Sequence, residues 1–140
     1  MSIVGPWLPD ARVLDLCAGS GALGIEAISR GAASADLVEI APASLRAIAA
    51  NLEALDVGDA IHVHRTDAVR FVGELEAGAY DVAFADPPYD LDIATAIVER
   101  WLEVPFASIL GVEHRAYDRL PGDGERRRYG QTAITFFRLE

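Results

Sequence analysis

Val13-Leu14-Asp15-Leu16-Cys17-Ala18-Gly19-Ser20-Gly21-Ala22-Leu23-Gly24-Ile25-Glu26 is the stretch whose reading decides how this 140-residue chain folds. An apolar run closes on an acid, a glycine-rich turn follows, and Leu23, Ile25, Ala27 and Ile28 then recur at helix-like spacing. The pattern predicts strand, tight loop and helix, the unit that holds a nucleotide-like cofactor in open α/β sheets. Glycines at 19 and 21 free the backbone to turn sharply and approach a ligand, and Gly24 lets the helix sit close on the strand.

Gly19-x-Gly21-x-x-Gly24 has the spacing of the dinucleotide fingerprint, and Glu39, closing the next apolar run, fits the acid that accepts ribose hydroxyls. Asp15 separates two readings of that spacing. Four residues before Gly19, a carboxylate would repel the pyrophosphate of a dinucleotide and attract a cation. S-adenosyl-L-methionine (SAM) has no phosphate and carries a sulfonium and an ammonium, so Asp15 favours SAM. The competing use of Asp15 is to cap a loop amide or the helix that starts near Ser20.

A chain of 15.0 kDa, half of it hydrophobic, makes one globular domain over residues 1–140. No apolar run approaches the roughly 18 residues of a membrane span. Met1-Ser2-Ile3-Val4-Gly5-Pro6 lacks the basic region and long apolar core of a signal peptide. The expected location is therefore the cytoplasm, away from membranes, and the single cysteine agrees with a reducing compartment. Cys17, in an apolar strand, reads as a small core residue and not a nucleophile.

The net charge of −10 argues against a non-specific grip on nucleic acid, which comes from Lys and Arg displacing counterions from phosphates. Charge is unevenly distributed, however. Arg115, Arg119, Arg126, Arg127, Arg128 and Arg138 outnumber the acids of the last 27 residues and leave that tail net positive, while lysine is absent throughout. Base composition of a genome accounts for arginine-only usage as well as function does.

Residues 1–10, with Pro6 and Pro9, form a lead-in segment. Strands are expected over 12–17, 35–40, 61–64, 80–85 and 108–113, and helices over 20–30, from Pro42 through Leu55, from Asp67 to Leu75 and over 91–102, with Ser20 as the first helix's N-cap and Gly31 just past its end. Gly122-Asp123-Gly124 marks a turn, and 127–129 with 132–138 form a closing antiparallel pair around Gly130. Strand and helix alternate, which predicts an α/β fold: a mostly parallel, Rossmann-like sheet with an antiparallel C-terminal pair and helices on both faces. His62 and His64 share one side of the third strand, but without a third ligand no metal site is expected.

In such a sheet ligands sit beyond the carboxyl ends of the strands, where Asp15, Glu39, Asp67 and Asp86 all fall. One ligand with several donors accounts for the four: an ammonium, two ribose hydroxyls, an adenine amino group, and a substrate amine. Asp86-Pro87-Pro88-Tyr89 adds a second signal. Two prolines leave the strand rigidly, without amide donors and with carbonyls free. A carboxylate and a fixed carbonyl match the two hydrogens of an exocyclic NH2 and aim its lone pair at an electrophilic methyl. Tyr89 offers a ring face for stacking an extruded base, or fills the edge of the core.

These motifs, with Gly24-Ile25-Glu26-Ala27, Ser29-Arg30-Gly31-Ala32, Val38-Glu39 and Asp67-Ala68, resemble the RsmD family of 16S ribosomal RNA guanine-N2 methyltransferases, from about residue 10 to the end of the chain. The resemblance implies a class I SAM-dependent methyltransferase acting on 16S rRNA, within a small-subunit ribosomal particle, as a monomer. It implies that Asp15, Ala18, Gly19, Ser20 and Gly21 line the methionine part of SAM and that Glu39 takes the ribose. Asp67 and Ala68 would meet the adenine, Ile40 would pack on its face, and Asp86, Pro87, Pro88 and Tyr89 would be the catalytic clamp. Members of that family usually begin with some forty further residues that help bind RNA, whereas here the lead-in is ten residues long. The proline motif is shared with adenine-N6 DNA methyltransferases, so a DNA or other amino methyltransferase stays open, as does a SAM-binding module without catalysis; an NAD-dependent oxidoreductase lacks a nameable hydride-transfer acid.

Overall fold

The computed structural model describes residues 4–87 and 90–140. Seven strands make one sheet: β1 Arg12–Leu16, β2 Ser34–Glu39, β3 Ile61–Arg65, β4 Tyr80–Ala85, β5 Ala107–Arg115, β6 Glu125–Tyr129 and β7 Thr132–Arg138. Their order is β3-β2-β1-β4-β5-β7-β6; the first five run parallel and β7 pairs antiparallel with both β5 and β6. Helices α1 Ala22–Ser29, α2 Pro42–Ala54, α3 Ala68–Gly73 and α4 Leu91–Glu103 link the parallel strands.

Because successive side chains of a strand point to opposite faces, the sheet divides its apolar residues between two cores. Val13, Leu37, Val82 and Ile109 pack on one side with Ala27 of α1 and Ile48 of α2. Leu14, Leu16, Val38 and Leu110 pack on the other with Val72 of α3 and Ile97, Val98 and Trp101 of α4. The expected architecture, helices on both faces included, is the observed one. The lead-in differs in one respect: Val4 and Leu8 flank a 3-10 turn, Gly5–Trp7, and both are fully buried in the core beneath α1.

Close packing of α1 on β2 depends on a missing side chain. A Cβ on Gly24 would overlap Cδ2 of Leu37, a fully buried residue. The cap at the other end of the loop is a correction. Ser20 does not cap α1; Gly21, in the left-handed region at φ 81°, occupies the N-cap without a side-chain bond, because the loop reverses later than the Ser suggests. Gly31, at φ 99°, stands past the end of α1 as expected.

Arg100 of α4 ties two helices together. Its Nε donates to Val72 O and its Nη2 to Leu75 O, each at 3.0 Å, adding a charged donor to carbonyls at the C-terminal end of α3 and just beyond it. Arg100→Met keeps the aliphatic stem and removes both charged hydrogen bonds, and is expected to lower stability by about 1–3 kcal/mol, read as a shift of the urea midpoint at unchanged m-value. An unchanged midpoint would show that water replaces the guanidinium at no cost.

Candidate active site

Parallel register brings the strand ends to one rim. Leu16 stands beside Val38 and Ala85, and Ala85 beside Val112. One residue further along the same rows come Cys17, Glu39, Asp86 and Glu113. Asp67 follows β3 and caps α3, its Oδ2 accepting from Arg70 N at 3.1 Å. The thiol of Cys17 reports the convergence: burial pushes it up to about 12, and the negative charges of Glu39, Asp15, Asp86 and Asp67 add to the rise. The four acids expected at the strand ends therefore all lie within electrostatic reach of Cys17.

The loop beginning at Cys17 is held open by its own backbone and by one carboxylate. Cys17 is not in the strand but just past it, in the left-handed region at φ 60°, followed by Gly19 at 60° and Gly21 at 81°. A left-handed non-glycine residue is strained and persists only where its surroundings fix it. Glu39 does so. Its Oε1 accepts from Gly19 N at 2.8 Å and its Oε2 from Ile40 N and Ala41 N, both at 2.9 Å. Ala18 N donates to Val38 O and Asn51 Nδ2 to Ser20 O, pinning the loop to β2 and α2. Ile40 is 59% exposed beside this loop, an apolar side chain left uncovered.

Asp15 is 2% exposed, and its Oδ2 has no hydrogen-bond partner. Burial pushes its carboxyl up to about 7, eased by the amide of Gly24 and raised further by the charges of Asp86 and Glu39. The helix amide anticipated as a competing use of Asp15 thus engages part of the carboxyl and leaves one oxygen over. A buried, partnerless acceptor beside a glycine loop, with acids on every side, fits a cationic ligand and rejects an anionic one.

On the β4–β5 side the rim opens into a cleft of about 490 Å³ lined by Asp86, Pro87, Glu113, Tyr117, Gln131 and others. Asp86 is exposed at its entrance and Pro87 buried in its wall. Pro88 and Tyr89 lie outside the described residues. Glu113 was missed by sequence reasoning. Its carboxyl is pushed up to about 7 by a hydrogen bond with Asp86, then by burial and by the charge of Asp86. An acid closing the apolar run Ile109-Leu110-Gly111-Val112 was the available signal, the same one that marks the first, second and fourth strands. His64 lies within 3.4 Å of Asp36 and packs on Phe71, and among the described residues no three His, Cys, Asp or Glu side chains group as a metal site.

A family profile described as "Conserved hypothetical protein 95" matches residues 1–138. The chain belongs to this family, the RsmD family. Its relatives include YlbH of Bacillus subtilis, named as a candidate rRNA methyltransferase, 30% identical over 98% of this chain and 80% of that protein. Ribosomal RNA small subunit methyltransferase D of Escherichia coli is 40% identical over 61% of this chain and 42% of its own length. The matches to that protein and to its Buchnera aphidicola counterpart, at 43%, thus span less than half of those relatives. Among solved structures, YhhF of E. coli, titled as a candidate methyltransferase, superposes with a TM-score of 0.82 at 28% identity, covering 96% of this chain and 78% of that one. A conserved hypothetical protein of Streptococcus pyogenes superposes at 0.83 with 29% identity, covering 96% and 89%. RsmD-family membership agrees with the mostly parallel sheet, closed by an antiparallel pair, derived from the chain itself.

The raised carboxyl of Asp15 has a consequence for stability. An acid held above its ordinary value in the folded state keeps a proton that the unfolded chain has released, so the stability it contributes is complete below about 3.8 and declines as pH climbs to about 7. Asp15→Asn is expected to flatten that decline in urea titrations run across the window, leaving the smaller part due to Glu113. Equal slopes for variant and wild type would mean that the Asp15 carboxyl is solvated.

Proposed function

We propose that this chain transfers a methyl group from SAM to the exocyclic N2 amine of a guanine in 16S ribosomal RNA, the substrate being presented within a small-subunit particle. The observation that carries the reading is the buried, unpaired Asp15 oxygen beside the left-handed glycine loop, with Asp86 in electrostatic reach across the rim. The names of the relatives supply the substrate class, and Asp86-Pro87 facing a cleft of nucleotide size supplies the chemistry.

SAM supplies, when bound, a methyl on sulfonium that is already electrophilic. The residues present fit it: Asp15, with Ala18, Gly19, Ser20 and Gly21, would hold the cationic methionine part. Glu39, whose carboxylate oxygens accept from backbone amides and keep further lone pairs, would take ribose hydroxyls. Asp67 and Ala68 would meet the adenine, with Ile40 against its face. Asp86 and the carbonyls of the proline turn would accept both hydrogens of the target amine, and Tyr89 would stack on the base. Orientation is the main contribution asked of the protein. The proton that the amine gives up on methylation would pass to the Asp86 carboxylate or to water. The exposed arginines of β6, Arg126 to Arg128, and Arg128 and Tyr117 beside Gln131, offer a cationic approach to that cleft for RNA phosphates.

Tritiated methyl transfer to small-subunit particles, free 16S rRNA and naked DNA, with mass spectrometry of the nucleosides, tests this reading. N2-methylguanosine from the particles is the expected product; N6-methyladenine from DNA, or SAM binding with no product on any substrate, would replace it with the other two readings. Asp86→Ala is expected to abolish transfer while calorimetry shows SAM binding within a few-fold of wild type. Loss of both together would remove Asp86 from the role assigned.

A further inference from the structure

We propose that Glu113 is a specificity-determining residue that accepts the N1–H of the target guanine and so selects guanine over adenine, an inference that rests on the proposed function above. Register places Glu113 directly across from Asp86, one step past the Ala85–Val112 pair, and both side chains line the same cleft. At about 490 Å³ the cleft lies within the roughly 300–1,000 Å³ of ligand pockets. Two other polar side chains in its wall are already engaged. The ring nitrogens of His114 contact Arg115 O at 2.8 Å and Thr135 Oγ1 at 2.7 Å, and Asp90 Oδ1 accepts from Ile93 N at 3.1 Å as the cap of α4.

The two carboxyls suit one base edge and not the other. Guanine presents two neighbouring donor groups, the N1–H and the N2 amine, to be met by two neighbouring acceptors. Adenine presents its amine beside a bare N1 lone pair, which an anionic Glu113 would repel. Above about pH 7 the Glu113 carboxyl is ionised and presents only acceptors to the base edge. A lone Asp86 would hold either amine; the second acid is what distinguishes the bases.

The experiment replaces the methylated guanine, in reconstituted small-subunit particles, by 2-aminopurine, which keeps the N2 amine and lacks N1–H. Wild type is expected to lose about tenfold or more in kcat/KM on the analogue, the discrimination typical of one base-edge contact. Glu113→Gln, whose carboxamide can donate to the bare N1, is expected to narrow that ratio while SAM affinity by calorimetry is unchanged. Equal use of guanine and 2-aminopurine by wild type overturns the assignment, and so does a ratio that Glu113→Gln does not move. If Glu113→Gln does not fold, Glu113→Ala, which removes the repelling acceptor and is likewise expected to narrow the ratio, decides in its place. Wild type that forms no N2-methylguanosine on the unsubstituted particle overturns the proposed function and this assignment together, an outcome distinct from methylation without discrimination.

Discussion

A carboxyl buried at the end of the central strand with one oxygen unpaired is the constraint on which the rest of this site depends. Leaving such an acceptor unsatisfied costs roughly 1–3 kcal/mol, and Asp15 sits between Leu14 and Leu16, both fully buried. The fold tolerates it because two cores, one on each face of the sheet, surround it with ordinary apolar packing. Glu39 then holds the loop away from it. Were the loop to relax onto Asp15, its amides would satisfy the carboxyl and fill the place a cation needs. Three amides held by Glu39 and two left-handed glycines prevent that relaxation.

Much of this was legible in the chain. Alternating strand and helix patterns give the parallel sheet, since each apolar run is bounded by glycine, proline or acid, and the observed strands fall within two residues of the expected ones at nearly every end. The acids at four strand ends could be read as one site because parallel strands deliver their carboxyl ends to the same rim. Side-chain spacing on β1 and β4 carries that inference, and all four acids lie within electrostatic reach of Cys17.

What sequence reading missed has physical reasons. Val4 and Leu8 look like lead-in because a 3-10 turn has no periodicity to read, yet both are buried as deeply as any strand residue. Ser20 has the right chemistry for a cap, but the choice of cap depends on where the backbone turns left-handed, and that is set by Gly21 and the pull of Glu39 on Gly19. Glu113 escaped because its meaning lies in its neighbour: an acid at a strand end is ordinary until register places it against Asp86. Arg100, one of twelve arginines, acts through a carbonyl 28 residues away, a relation no local pattern encodes.

The outermost strand of the sheet is β6, exposed along its whole length, with Arg126, Arg127 and Arg128 in succession. An open strand edge is a template for adding a neighbour's strand, and fixed charge along it is one of the ways proteins prevent that. Two copies meeting edge to edge here would align three guanidinium groups against three more. At high concentration the sheet is therefore guarded against growing into a fibre from its only edge built of antiparallel strands.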